Sequence, residues 1–173
     1  MKKLKETKTL TVVAMLTAIG IVLEFFKIPI TQLIEIQFGS LPVCMSGMLL
    51  GPGIGGIVGA LCDIGGYLVK PTGPFFPGFT LSSAVSGILF GLILHGKKIT
   101  LPRIAIAQMA HTFVVGILMN SYWLNLLYFK NGYLATILIR LPKELIMLPI
   151  NIVLTYTILK AFDRVKDRGL LFE

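Results

Sequence analysis

Apolar residues fall into long runs along the chain, separated by short polar or Gly/Pro-rich segments. Several runs approach the roughly 20 apolar residues that a helix needs to cross a bilayer. The runs predict six helices: Leu10–Phe26, Leu41–Leu50, Gly53–Val69, Phe79–His95, Ile104–Asn125 and Ile137–Phe162. The pattern therefore predicts an all-α integral membrane protein, in which residues 1–173 form a single six-helix membrane domain.

The Gly51–Gly56 break leaves two options for Leu41–Val69, one interrupted span or two spans with a tight turn. Two spans and a cytoplasmic N-terminus place eleven of the sixteen basic residues inside: Lys2, Lys3, Lys5, Lys8, Lys97, Lys98, Arg103, Lys160, Arg164, Lys166 and Arg168. One interrupted span would expose the Lys97–Arg103 loop and the C-terminal tail to the outside, against the positive-inside rule. We therefore expect six transmembrane helices with both termini cytoplasmic, the second helix being too short to span alone.

Two connections are unusual and fall on the predicted outer face. Lys70–Ser83 reads KPTGPFFPGFTLSS, and its three prolines exclude a regular helix through the segment, while its phenylalanines are too apolar for an ordinary solvated loop. We interpret it as a rigid aromatic lip of a binding site. Lys27–Ser40 is too polar for a lipid-facing span and is predicted to be a long loop or a re-entrant cap.

Composition narrows the function classes. The chain is 55% hydrophobic and 14% charged, and it contains no GxxxxGK[ST] phosphate-binding loop, so any ATP hydrolysis must come from another subunit. The net charge of +8 follows membrane topology rather than forming a nucleic-acid patch. Cys44 and Cys62 lie in apolar segments without a metal-binding or redox spacing, which indicates small core residues.

Small residues line one face of the first helix, where Ala14 and Ala18 are spaced four apart. Such faces let helix backbones approach closely in lipid. The face could serve a partner subunit or packing within the same bundle, and the pattern alone does not separate the two.

Asp63 lies mid-span, where an ionisable group costs a few kcal/mol and so faces a cavity or a partner. It could be a ligand or coupling-ion site, but a structural hydrogen bond to a neighbour such as Tyr67 or His111 is slightly favoured. Glu24, near the end of its helix, is expected at the membrane interface. His111 stands alone, which does not predict a metal site.

Polar groups collect near the outer ends of the last two helices. Asn120 and Asn125 flank Trp123, and an interfacial aromatic belt explains the tryptophan but not two carboxamides. A carboxamide offers a donor beside an acceptor, which suits the edge of a flat heterocycle. Arg140 and Lys143 could bind an anion or extend to the interface, and Arg140 could pair with Glu144 four residues on.

Together these residues predict an aromatic outer pocket with net positive charge, suited to an acidic aromatic small molecule. Its members are Phe75, Phe76, Phe79, Thr80, Ser83, Asn120, Trp123, Asn125, Arg140 and Lys143. No nucleophile–base pair or metal cluster accompanies them, so we expect neither an enzyme nor a metal or other cofactor.

The chain resembles the S components, the substrate-binding membrane subunits, of energy-coupling factor (ECF) vitamin transporters. The resemblance rests on Ala14 and Ala18, on the Gly51–Gly56 turn and on Asp63 in Gly59–Asp63, and it covers nearly the whole chain. Three further runs are similar to the folate-specific branch: Gly73–Ser82, Leu118–Leu124 and Arg140–Lys143.

The resemblance implies high-affinity capture of folate or a reduced folate at the bacterial plasma membrane. It also implies delivery through a complex with a transmembrane T subunit, which the Ala14–Ala18 face would contact, and two cytoplasmic ATPases. In this family the S component is thought to topple in the membrane with its ligand, and the long first loop closes over the pocket. Asn120 or Asn125 would then read the pterin, Trp123 and the phenylalanines would stack on the rings, and Arg140 or Lys143 would meet the carboxylates.

Three alternatives stay open on the sequence. The chain could be an S component for another water-soluble vitamin, such as riboflavin or pantothenate. It could be a stand-alone secondary transporter in which Asp63 is essential, or a structural membrane protein without a ligand.

Overall fold

The computed structural model describes residues 7–26, 28–29, 35–36, 38–71, 73–127 and 132–167. Its helices are α1 (Thr7–Phe25), α2 (Ser40–Leu50), α3 (Pro52–Val69), α4 (Pro77–Leu94), α5 (Leu101–His111), α6 (Asn120–Leu127) and α7 (Tyr133–Asp167). A π-helical segment, Thr112–Met119, joins α5 to α6, so that Leu101–Leu127 is continuously helical.

Five of these helical stretches are long and apolar enough to cross a membrane. They are Thr7–Phe25, Pro52–Val69, Pro77–Leu94, Leu101–Leu127 and Tyr133–Phe162. The apolar helix α2 has only 11 residues, about 16 Å at about 1.5 Å per residue, against a hydrocarbon core of about 30 Å. The structure is thus a helical bundle of the membrane type, with one helix that is short for a span.

Glycines bring α2, α3 and α4 into direct backbone contact. A Cβ atom at Gly47 would lie 2.8 Å from the carbonyl oxygen of Gly87, and one at Gly55 would lie 2.7 Å from the same oxygen. Neither distance leaves room for a side chain, so these helices pack as closely as small residues allow. Gly51 turns the chain between α2 and α3 with a φ of 96°, which favours glycine.

Two apolar clusters hold the bundle together. One joins α1, α2 and α3 through Val13, Leu16, Val43, Ile54, Val58 and Cys62. The other joins α2, α4, α5 and α7 through Cys44, Phe90, Leu94, Ile104, Ala107 and Leu159. Both cysteines are buried free thiols, which confirms their interpretation as core residues.

The first connection contains a short strand pair that the sequence did not predict. Strands β1 (Ile28–Pro29) and β2 (Glu35–Ile36) are antiparallel, with Ile28 opposite Ile36. The other residues between 27 and 37 lie outside the described residues. The prediction that Lys27–Ser40 is a long loop or a re-entrant cap therefore stays a prediction. Helix α2 begins at Ser40, the last residue of this segment, and therefore remains too short to span the membrane alone.

Prolines mark the other differences from the predicted helix ends. Helix α4 begins at Pro77, because a proline in the first turn lacks only an N–H that would have no helical partner. The non-helical connection is therefore two residues shorter than the interval between the predicted helices Gly53–Val69 and Phe79–His95. The last helix was predicted to begin at Ile137, whereas α7 begins at Tyr133 and continues through Pro142 and Pro149. Membrane helices tolerate such prolines because neighbouring groups compensate the lost backbone bonds.

Candidate functional site

One cavity of about 210 Å³ opens at the end of the bundle that carries the Pro/Phe-rich connection. The C-terminal ends of α1 and α3, the N-terminal ends of α2 and α4, the π segment and the first half of α7 surround it. Seven of the ten predicted pocket residues line it: Phe75, Phe76, Phe79, Ser83, Asn120, Arg140 and Lys143.

The remaining three predicted residues, Thr80, Trp123 and Asn125, lie behind or beside the cavity. Thr80 donates a hydrogen bond from its hydroxyl to the Asp63 carboxylate, 2.7 Å away. Trp123 donates from Nε1 to the Ser82 hydroxyl at 3.1 Å. Asn125 belongs instead to a shallow, mostly apolar groove between α6 and α7, which Tyr122 and Tyr133 also line.

The aromatic wall is braced by its own rings. The ring centroid of Phe76 lies 5.5 Å from that of Trp123 and 6.1 Å from that of Phe79, and Phe75 lies 5.1 Å from Tyr67. Such tilted and edge-to-face pairs each contribute about 0.5–1.5 kcal/mol beyond burial. The phenylalanines therefore both line the cavity and hold the connection against α3 and α6.

Asp63 lies on α3 and lines the cavity opposite α7. Besides the bond from Thr80, its Oδ1 is 3.5 Å from the Ser83 hydroxyl, and both of these hydroxyls come from α4. The expected partners Tyr67 and His111 are engaged with aromatic rings: Tyr67 with Phe75, and His111 stacked on Phe90 at 5.0 Å. The carboxylate thus has helix–helix hydrogen bonds and a face on the cavity.

Helix α7 contributes a buried charge cluster. Oε1 of Glu144 accepts from Arg140 Nη2 at 3.2 Å and from Lys143 Nζ at 3.1 Å. The exposed fraction of the side chain is only 6% for Arg140, 10% for Glu144 and 15% for Lys143. The Arg140–Glu144 pair is confirmed, and extension of the two cations to the membrane interface is not observed.

Several cavity residues were missed or misplaced by the sequence interpretation. Glu24 faces the cavity beside Gly39 and Gly66, a position that the sequence interpretation did not give it. The other additions with polar side chains are Ser40, Tyr67, Lys70, Ser82, Ser86, His111, Thr112, Glu144 and Asn151. A net positive pocket was also expected. Among the described lining residues, however, the carboxylates of Glu24, Asp63 and Glu144 equal in number the cations of Lys70, Arg140 and Lys143.

Two carboxamides have unused acceptor capacity beside the cavity. The Oδ1 atoms of Asn120 and Asn151 are buried and have no hydrogen-bond partner within the described residues. A buried acceptor without a partner costs about 1–3 kcal/mol, which a bound ligand that donates a hydrogen bond would remove. Of the two, only Asn120 was predicted as a ligand residue.

The first helix directs its small face away from the bundle. Val13, Leu16 and Gly20 are its buried residues, whereas Ala14 and Ala18 are exposed. Large apolar side chains flank the alanines on this exposed surface, among them Leu10, Met15 and Val22. Packing of the alanines inside the same bundle is therefore not what the structure shows.

Comparison with known proteins places this arrangement in a family. Residues 8–159 match the family described as ECF transporter, substrate-specific component. The chain is 37% identical over 163 residues to the folate transporter FolT of Clostridium novyi strain NT, covering 94% of each chain. It is 27% identical over 159 residues to folate transporter FolT of Leuconostoc mesenteroides subsp. mesenteroides, covering 89% of this chain and 85% of that one.

The fold has a solved counterpart. A crystal structure of FolT bound with folic acid matches with a TM-score of 0.80 at 31% identity, covering 88% of this chain and 93% of that chain. The likeness extends over nearly the whole helical bundle that encloses the cavity. The chain therefore belongs to the substrate-specific, or S, components of energy-coupling factor transporters.

Proposed function

We propose that this protein binds folate or a reduced folate from outside the cell and delivers it for ATP-driven uptake by an ECF transporter complex. The observation that carries the proposal is the chemistry of the cavity. Three phenylalanines, two carboxamides and a buried pair of cations surround one enclosed space. Two relatives are named as folate transporters, and the matched FolT structure was bound with folic acid.

Each part of folate has a suitable counterpart in this cavity. The pterin edge combines donors and acceptors, which suits the carboxamides of Asn120 and Asn151. Phe75, Phe76 and Phe79 offer ring faces or edges for the pterin and the aromatic linker. The two carboxylates of the glutamate tail suit Arg140 and Lys143, since Arg binds a carboxylate with two parallel hydrogen bonds. Trp123 acts by bracing Phe76, and Asn125 lies away from this ligand path.

We place the cavity on the outer side of the membrane, with six transmembrane helices in one domain and both termini cytoplasmic. The basic residues near both termini and between Lys97 and Arg103 support this orientation through the positive-inside rule. The cavity opens at the opposite end, at the connection from α3 to α4.

The partners are a transmembrane T subunit and two cytoplasmic ATPases. The helical bundle carries no phosphate-binding loop, so the protein is a transport subunit and ATP hydrolysis belongs to those partners. The exposed Ala14–Ala18 face of α1 is the docking surface for the T subunit, because its small side chains admit another helix closely. The rest of the apolar surface contacts lipid.

An uptake assay tests this assignment. In bacteria without a folate uptake system, the chain expressed with its T and ATPase subunits should accumulate radiolabelled folate, and the chain alone should not. ATPases with an inactivated catalytic site provide the control and should abolish accumulation. Accumulation by the chain alone that a protonophore or Asp63→Asn removes would overturn the proposal in favour of a secondary transporter.

A further inference from the structure

The charged groups of the cavity are divided between two opposing walls. Helices α3 and α7 both line the cavity, yet within the described residues they make no close contact with each other. The wall formed by α1 and α3 carries Glu24, Asp63 and Lys70, whereas α7 carries Arg140, Lys143 and Glu144. Counted over the described residues, one wall therefore has a surplus carboxylate and the other a surplus cation.

The part of the first wall around Asp63 presents hydrogen-bond acceptors to the cavity. Thr80 Oγ1 directs its proton at Asp63 Oδ2 at 2.7 Å, and Ser83 Oγ lies 3.5 Å from Oδ1. Ser83 lines the cavity, so its hydroxyl keeps lone pairs for a ligand when it gives its proton to the carboxylate, and the carboxylate itself only accepts. This part of the wall can therefore recognise a group rich in N–H donors.

A carboxylate inside the membrane normally faces a cavity or a partner, and Asp63 lines the cavity. Backbone contact already holds α3 against α4, since a Cβ atom at Gly55 or Gly59 would collide with the backbone of Gly87 or Ser83. A neutral side chain could supply the remaining hydrogen bond at less cost, because a carboxylate inside the membrane is expensive. A charge facing the cavity from this wall is therefore explained better by the ligand.

We propose that Asp63, positioned by Thr80 and Ser83, accepts hydrogen bonds from the amino-substituted edge of the ligand's heterocycle and so orients the ligand across the cavity. On the proposed function, on which this inference rests, that edge is the 2-amino group and the adjacent ring N–H of the pterin. These two donors lie side by side and match the two oxygens of one carboxylate. The acidic tail then points to the surplus cation of α7.

Removing one group from the protein and one from the ligand tests this contact. Calorimetry would measure the Kd of purified wild type and Asp63→Asn for folate and for 2-desamino-2-methylfolate, which lacks the amino group. We expect Asp63→Asn to weaken folate binding about 10- to 100-fold and to weaken binding of the analogue several-fold less, because the analogue keeps the ring N–H but has already lost the hydrogen bond from the 2-amino group. Retained binding of the analogue also shows that the variant cavity is intact.

Arg140→Gln serves as the matched control at the other wall, and it should weaken both ligands by the same factor. If Asp63→Asn weakens the binding of both ligands equally, or of neither, Asp63 does not contact the heterocycle. Should Asp63→Asn fail to fold, Thr80→Val decides instead. It should weaken folate more than the analogue, and an equal effect on both would overturn the inference. Wild type that does not bind folate at all defeats the proposed function, whereas binding without this ligand-dependent difference defeats only the role of Asp63.

Discussion

Replacing Arg140 by glutamine should weaken folate binding about 10- to 100-fold. The guanidinium lies buried in the cavity wall, where a hydrogen bond to a charged group contributes about 1.5–3 kcal/mol, and each 1.4 kcal/mol is about tenfold in affinity. The variant should still fold, because Lys143 remains 3.1 Å from Glu144 and compensates its charge. Calorimetric titration of the purified variant measures the change in Kd.

The ligand provides the first control for this prediction. A folate analogue with both tail carboxylates converted to primary amides should bind wild type and Arg140→Gln within about threefold of each other, because the charged contact is already absent. Arg103→Gln is the matched protein control, since Arg103 bonds to the backbone of Lys98 and does not line the cavity. An equal loss for folate and its diamide would show that Arg140 acts on the cavity as a whole rather than on the tail.

Ala14→Trp should leave folate binding unchanged and abolish both complex assembly and uptake. Ala14 is exposed on the side of α1 that faces away from the cavity and the cores, so a bulky side chain there disturbs nothing inside the bundle. It would, however, hold a partner helix several ångströms further from the small-residue face. Co-purification with the T subunit measures assembly, and radiolabelled folate measures uptake in the same cells.

Leu138→Trp is the corresponding control on α7, where the side chain is 69% exposed and α1 makes no close contact within the described ranges. It places the same indole side chain on another apolar surface and should preserve binding, assembly and uptake. Loss of folate binding in Ala14→Trp, or normal assembly with that variant, would contradict the assignment of this face to the T subunit.

The sequence predicted the structure best where apolar periodicity and prolines determine the secondary structure. Hydropathy predicted a helical membrane protein, and the Pro/Phe-rich segment was correctly identified as a wall of the cavity up to the start of α4 at Pro77. Arg140 and Lys143 were recognisable because cations inside an apolar helix are tolerated only where they face a cavity or a partner.

The spacing of residues along the helices indicates more of the cavity lining than the sequence interpretation identified. Arg140, Lys143, Glu144, Met147 and Asn151 follow the spacing of one helix face, and all five line the cavity. Conversely, Asn120 and Asn125 are five residues apart, which at about 100° per residue places them on different faces of a helix. The structure indeed directs Asn125 to the groove between α6 and α7.

Other features depend on tertiary packing and had no local signal. The orientation of Glu24 towards the cavity requires the space left by Gly39 and Gly66, which come from other parts of the chain. The π segment Thr112–Met119 has no compositional signature, although π-helical turns often occur at functional sites and this one lines the cavity with Thr112 and Gly116. The equal number of cations and carboxylates among the described lining residues likewise depends on how α1, α3 and α7 pack around the cavity.

A titration of the purified protein with folate, riboflavin and pantothenate in the absence of ATP and partner subunits tests the central claim most directly. The account predicts tight one-to-one binding of folate, with a Kd in the nanomolar range, which corresponds to about 12 kcal/mol, and no detectable binding of the other two vitamins. Saturable binding of riboflavin or pantothenate with no heat from folate would contradict it.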